Sequence, residues 1–203
     1  MTAAPPGPPP PHPLYDLAAV RRMLRADIAQ YSKYAAGFQS PSARWTRKLS
    51  VLLTPPLLCC ALYRLSHWLF CTGRRRRAAI VARINFLLHK CSISPGSSIG
   101  PGLYIPHTVG LVFHGHGGER LTLYHRAIVC AGSVHVQKDE VYDDCPVLGD
   151  DVTIGVNAVV SGGVRVGARS YVAAAATLRE DLAPDLILVD TSAKRSVPRE
   201  ARA

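Results

Sequence analysis

The sequence predicts an α+β protein: an N-terminal helical domain followed by a left-handed parallel β-helix of hexapeptide repeats with one extruded loop. Before about residue 90, apolar residues recur at steps of three and four, as on one face of a helix. After that point, aliphatic residues recur every six residues in a segment rich in Gly, Pro and Ser. A fixed short period indicates a stacked solenoid, and six residues fit one short strand plus one turn.

The first 13 residues, MTAAPPGPPPPHP, are interpreted as a disordered Pro-rich tail. They contain neither the basic nor the apolar stretch of a signal peptide. The six cysteines form no C-x-x-C pair, so we expect a cytoplasmic protein with reduced thiols. The net charge of +10 favours contact with anions such as nucleic acid, anionic lipid or the phosphates of a cofactor, and does not choose among them. Of these partners, nucleic acid is not expected.

The helical domain is predicted over residues 14–90. It opens with YDLAAVRRMLRADIAQY, for which Asp16 is a suitable N-cap. Its most hydrophobic segment is LSVLLTPPLLCCALYRLSHWLF, which Pro55 and Pro56 divide. Neither piece reaches the roughly 20 residues needed to cross a bilayer. A core or oligomer-interface helix is therefore favoured over membrane association.

The β-helix is predicted over residues 91–190, with a basic tail over 191–203. Three six-residue steps make one coil, so each inward residue should stack on its equivalent eighteen residues away. A slip in the register over about 130–147 indicates the extruded loop, a usual location for function. The positions on the six-residue period are Ile93, Ile99, Ile105, Leu111, Gly117, Leu123 and Val129, then Leu148, Ile154, Val160, Val166, Val172 and Leu178.

The segment YRLSHWLFCTGRRRRAAIVARINFLLHKCSISPGSSIGPGLYIPHTVGLVF resembles the helix-to-coil junction of serine acetyltransferases. LRADIAQY resembles an N-terminal helix of that family, and PVLGDDVTIGVNAVVSGGVRVGARSYVAAAATLREDLAPD resembles its last coils. The resemblance implies a homotrimer or a pair of trimers that transfers an acetyl group from acetyl-CoA to the hydroxyl of a small-molecule acceptor.

The resemblance also implies roles for particular residues. His107 stands at the place of the family's catalytic histidine, a general base that activates the acceptor hydroxyl for direct attack on the thioester. Ser92 stands where the family has the aspartate that orients this base, and Pro106 replaces a second aspartate. Small residues are expected to line the acetyl-CoA groove, with a basic residue near the phosphates: Ala131, Gly132, Ala158, Ala174 and Lys194.

Substrate contacts are expected from the loop and the neighbouring coil. The family's Asp-Arg-His-Pro is here Asp143-Asp144-Cys145-Pro146, which replaces an arginine with an acid that would repel a carboxylate. Arg126 is a candidate to bind a carboxylate instead. These changes leave open a different alcohol or amine acceptor, and a degenerate non-catalytic scaffold. Cys145 as a nucleophile is the less favoured alternative to an inert loop cysteine.

No metal is expected. His114 and His116 alternate along a predicted strand, with His125 and His135 further on, but no Cys or carboxylate lies at a recognised ligand spacing. Surface histidines are favoured.

The family's C-terminal tail ends in isoleucine and docks into the next enzyme of cysteine synthesis. This chain ends SVPREARA, so that docking is not expected.

Overall fold

The computed structural model describes residues 16–36, 54–132, 145–190 and 195–198. Within these residues, three helices precede the strands: α1 (Leu17–Ala36), α2 (Pro55–Cys71) and α3 (Arg75–His89). The side chain of Asp16 accepts a hydrogen bond from the backbone N–H of Ala19, which confirms Asp16 as the N-cap of α1. Within the described ranges, no helix is both long enough and apolar enough to cross a bilayer.

Fourteen short strands follow in the described part of the chain and form three sheets, which are parallel apart from one antiparallel strand at the end. In sequence order they are β1 (Ser92–Ile93), β2 (Ser98–Ile99), β3 (Val112–Phe113), β4 (His116–Gly117), β5 (Thr122–Leu123), β6 (Ile128–Cys130), β7 (Val147–Leu148), β8 (Thr153–Ile154), β9 (Val159–Ser161), β10 (Arg165–Val166), β11 (Tyr171–Val172), β12 (Thr177–Leu178), β13 (Leu186–Asp190) and β14 (Arg195–Pro198).

Each sheet stacks strands from successive turns of the chain, as in a parallel β-helix. One sheet has the order β1-β3-β6-β9-β12, the second β10-β7-β4-β2, and the third β14-β13-β11-β8-β5. The inward side chains of the three sheets form one continuous apolar core. The predicted parallel β-helix is confirmed at this level.

The register shows the eighteen-residue coil and its two irregularities. Thr153 pairs with Tyr171 eighteen residues on, whereas Thr122 pairs with Thr153 across 31 residues, so thirteen additional residues lie between β6 and β7. The second irregularity corrects the predicted period. Ile93 pairs with Phe113 and Phe113 with Val129, so Phe113 and not Leu111 continues the inward row. Leu111 is buried all the same, at the corner of the coil.

A buried ion pair fastens the helices to the first coil. Asp27 of α1 and Arg64 of α2 are both fully buried, and each oxygen of the carboxylate accepts a guanidinium N–H at 3.0 Å. Asp27 also accepts the backbone N–H groups of Gly102 and Leu103, at 3.0 and 2.8 Å. Burial opposes the charge of Arg64, but the adjacent Asp27 outweighs it and raises the pKa of the guanidinium. Both charges are therefore paired and hydrogen-bonded, as buried charges must be.

Tyr31 of α1 makes a second connection, directly to the backbone of Ile105. Its hydroxyl donates to the Ile105 carbonyl at 2.7 Å and accepts the Ile105 N–H at 2.8 Å. Burial raises the pKa of this phenol, so it stays protonated and able to donate. Ile105 lies two residues before His107, and α1 therefore fixes the entry to that corner.

A column of glycines allows successive coils to approach closely. A Cβ atom on any of its members would lie 2.2 to 2.8 Å from atoms of the next coil, below any real contact distance. Only a residue without a side chain fits there. The column consists of Gly100, Gly118, Gly149 and Gly167.

Candidate functional site

The corner that carries His107 is larger than its equivalents. The step from the inward Ile105 to the next inward residue, Phe113, is eight residues, where the regular step is six. His107 is exposed within this enlarged corner, while Leu103, Ile105 and Leu111 are buried and hold its two sides. The corner therefore presents an imidazole to solvent on a rigid base.

His107 lies against His125, which follows it by one coil of eighteen residues. The two ring centroids are 5.7 Å apart and the ring planes cross at 80°, an edge-to-face arrangement. Nδ1 of His125 is buried and has no hydrogen-bond partner among the residues that the structure describes. The contact of His107 is thus with a second imidazole.

Ser92, the residue expected to orient His107, is half-buried at the start of β1. Its backbone N–H donates to the carbonyl of Leu111 at 2.8 Å, and it pairs with Val112 in the sheet. Within the described residues, no hydrogen bond joins Ser92 to His107. The first coil therefore brings Ser92 to the strand that follows the His107 corner, without a bond to the imidazole.

Two of the predicted substrate contacts, Asp143 and Asp144, lie outside the described residues. Arg126 is exposed at the corner that also carries His125 and has a left-handed φ of 58°. No ion pair engages it within the ranges given above. Arg120, a second cation near this coil, is already held by Asp151 and Glu119. Cys145 is buried.

The residues expected at the acetyl-CoA groove differ in their exposure. Gly132 and Ala174 are exposed and Ala131 is half-buried, whereas Lys194 lies outside the described residues. Ala158 corrects the prediction: its side chain is wholly buried in the core, so it faces the interior and lines no groove. At Gly132 a Cβ atom would lie 3.0 Å from Cα of Gly162 on the next coil, so the surface there is low and made largely of backbone.

His116 on β4 and His114, two residues before it, are both half-buried, and burial lowers the pKa of both imidazoles. Across the described ranges, no group of three or more His, Cys, Asp or Glu side chains is arranged to hold a metal ion. His135 lies outside those ranges.

Sequence reasoning missed the contact between His107 and His125. It considered His125 only as one of several histidines near a zinc site. The spacing of eighteen residues, one full coil, was the signal that would have placed the two side chains at the same corner. The pairing of Tyr31 with Ile105 has no such signal, because the two residues are 74 positions apart and belong to different kinds of element.

The three-sheet coil and the exposed histidine at its corner define a hexapeptide-repeat β-helix protein. Among curated proteins, the serine acetyltransferase of Helicobacter pylori is 34% identical over 166 residues, which cover 77% of this chain and 89% of that enzyme. The serine acetyltransferase of Mycobacterium tuberculosis is 32% identical over 129 residues, covering 63% of this chain. The chain belongs to the serine acetyltransferase family.

The solved structures that resemble the chain support the same fold. Serine acetyltransferase from Neisseria gonorrhoeae superposes with a TM-score of 0.74 at 22% identity, over 90% of this chain and 66% of that one. The chain spans 54% of the Mycobacterium tuberculosis enzyme, about half its length. No family profile matches the chain.

Proposed function

We propose that the protein is an acetyl-CoA-dependent O-acetyltransferase that acts on serine, with His107 as general base. Its similarity to serine acetyltransferases supports this reaction, and the single structural observation that carries it is the exposed imidazole of His107 on an enlarged, rigid corner. A general base must reach the proton that it removes, and the other histidines described are less exposed than His107: His67 and His89 are buried, and His114, His116 and His125 are half-buried.

His107 takes the proton of the serine hydroxyl as that oxygen attacks the thioester carbonyl. Once the tetrahedral intermediate collapses, the same imidazolium gives the proton to the departing thiolate, which leaves as CoA. The base is neutral again at the end of the cycle, and O-acetylserine is released. The backbone around the corner would supply donors for the developing oxyanion.

Acetyl-CoA is proposed to lie along the outer surface near Ala131, Gly132 and Ala174. The low, backbone-rich surface where Gly132 meets Gly162 fits a narrow pantetheine chain. Lys194 is proposed to meet the phosphates of the co-substrate. A left-handed coil, a homotrimer or a pair of trimers, and a cytoplasmic location complete the proposal, all by analogy with the family.

The acceptor carboxylate is proposed to pair with Arg126. Arg126 is exposed at the corner occupied by His125, the neighbour of His107, whereas Arg120 is committed to Asp151 and Glu119. A guanidinium binds a carboxylate through two parallel hydrogen bonds. Asp143 and Asp144 are proposed to bind the ammonium group of serine, and Cys145 is given no chemical role because it is buried.

The proposal is tested by mixing the full-length protein with acetyl-CoA and L-serine and measuring free thiol. Turnover is expected, and His107→Gln is expected to lower kcat by about 100-fold or more, since general-base catalysis contributes that much. Arg126→Gln should raise KM for serine with little change in kcat. A matched control is His116→Gln, which removes a half-buried imidazole outside the corner. Unchanged turnover in His107→Gln would rule out the general base.

A further inference from the structure

We infer that His125 is the positioning residue of His107, and that its Nδ1 lone pair accepts a hydrogen bond from the His107 ring. This inference rests on the proposed function and adds to it the group that orients the base. Neither the similarity to known enzymes nor the sequence pattern assigns this role to His125.

The first observation is that His125 has a buried hydrogen-bonding atom with nothing to bond. Nδ1 of His125 is shielded from solvent and finds no partner among the described residues. A buried polar atom left unpaired costs free energy, and most such atoms in folded proteins are bonded. When the ring is neutral with its proton on Nε2, Nδ1 is an acceptor, and a neighbour that donates an N–H would satisfy it.

The second observation is that the neighbouring ring needs an acceptor. A neutral imidazole that acts as a base through one nitrogen carries its proton on the other, and that N–H must be held to fix the tautomer. His107 makes no hydrogen bond with Ser92, and none with any other residue that the structure describes. The imidazole that touches it is the one with the unpaired nitrogen.

The geometry is close to that of a bond between the two rings. Two imidazoles joined by an N–H···N hydrogen bond have their centroids roughly 5 Å apart. The observed separation is 5.7 Å. Because the His107 side chain is exposed, a small rotation of its ring brings an N–H to Nδ1 of His125 without moving the backbone. His125 then carries its own proton on Nε2.

This arrangement explains how the site works with Ser92 in place of a carboxylate. The orienting group is neutral and lies one coil along the β-helix, so both members of the pair are fixed by the same ladder of parallel strands. The bond sets the His107 tautomer and aims the free nitrogen at the acceptor. His125 acts through His107 and does not touch the reacting atoms.

Three substitutions at one position isolate the Nδ1 atom. His125→Phe keeps an aromatic ring at this position but removes the acceptor nitrogen. In His125→Asn the side-chain oxygen occupies the place of Nδ1, whereas in His125→Gln it reaches the place of Nε2. We expect kcat to fall by about 10-fold or more in His125→Phe and His125→Gln, and to stay within about 3-fold of the unsubstituted protein in His125→Asn.

A spectroscopic measurement tests the bond independently of turnover. Imidazole ¹⁵N spectra of the full-length protein, with the His107 signals identified by their loss in His107→Gln, report the tautomer of this ring. One tautomer is expected in the unsubstituted protein and in His125→Asn, and a mixture of both in His125→Phe. Melting temperatures confirm folding, which His125→Phe should retain because a phenyl ring fills the same space and leaves no buried polar atom at this position unsatisfied.

A single His107 tautomer that survives in His125→Phe would overturn the inference, whatever happens to kcat. An unchanged kcat in His125→Phe would overturn it as well. If the unsubstituted protein transfers no acetyl group to serine, the proposed function fails, while the spectra still decide whether His125 orients His107.

Discussion

At the scale of single residues, the hydroxyl of Tyr31 holds the approach to His107. It bonds both polar groups of one peptide residue, Ile105, across a separation of 74 positions. The corner beyond it is enlarged and depends on such an anchor. Loss of this hydroxyl should therefore affect the candidate site as well as the fold.

We expect Tyr31→Phe to lower the free energy of unfolding by about 2 to 3 kcal/mol, because the buried N–H and carbonyl of Ile105 lose their partner. Urea denaturation followed by circular dichroism measures this change. Tyr34→Phe is the matched control on the same helix. Its ring stacks on Tyr104 but its side chain is 42% exposed, so removal of its hydroxyl should have little effect. Equal losses in the two variants would contradict the anchoring role.

The resemblance to a family was enough to select His107 as the candidate base, since the motif around it is local. Its surroundings were less predictable. Ser92 was expected to orient it because the two occupy the family's positions, yet no hydrogen bond joins them in the structure. His125 went unrecognised because histidines on a repeat also fit a zinc site. Contacts between coils depend on which residues of successive coils pair with each other. The sequence predicts this pairing only where the number of residues between inward positions is constant.

At the scale of elements, the six-residue period predicted most of the coils correctly because inward aliphatic residues repeat without interruption from β7 to β12. The exception is the corner before β3. Leu111 lies on the six-residue period and is buried, so the pattern alone cannot distinguish it from Phe113, which actually continues the strand row. The coil with this corner has two residues more than the regular coil and the next coil has two fewer, so the six-residue period continues afterwards at the expected positions.

The junction between helices and coil depends on the pair formed by Asp27 and Arg64. Asp27→Asn would leave a buried guanidinium without its counter-charge, and we expect a loss of about 3 to 5 kcal/mol in the free energy of unfolding. Asp151→Asn is the control, because that carboxylate pairs with Arg120 on the surface, where ion pairs contribute less than about 1 kcal/mol. Denaturation curves of the two variants under the same conditions make the comparison, and similar losses would refute the role of burial.

At the scale of the whole molecule, stability should depend on pH through half-buried histidines. Burial lowers the pKa of His114 and His116 in the folded state, so the unfolded chain binds more protons as the pH falls. The free energy of unfolding should therefore decrease as the pH drops below about 6.5, the value for an unperturbed histidine.

Melting temperatures measured between pH 8 and pH 5, roughly the range over which histidines titrate, test this dependence. The double variant His114→Gln, His116→Gln should lose less stability on acidification than the unsubstituted protein. An identical acid slope in both would show that these two imidazoles do not control the response.

The connections made by α1 also set an order of events during synthesis. Asp27 and Tyr31 bond to residues 74 to 76 positions later in the chain, so α1 leaves the ribosome well before its partners exist. Contacts between residues this far apart in sequence form late in folding, because closing so long a loop costs entropy until other parts of the structure have formed. The bonds from α1 to Gly102, Leu103 and Ile105 must therefore wait for the first coil, so a part of the chain made later completes the packing of the helix made first.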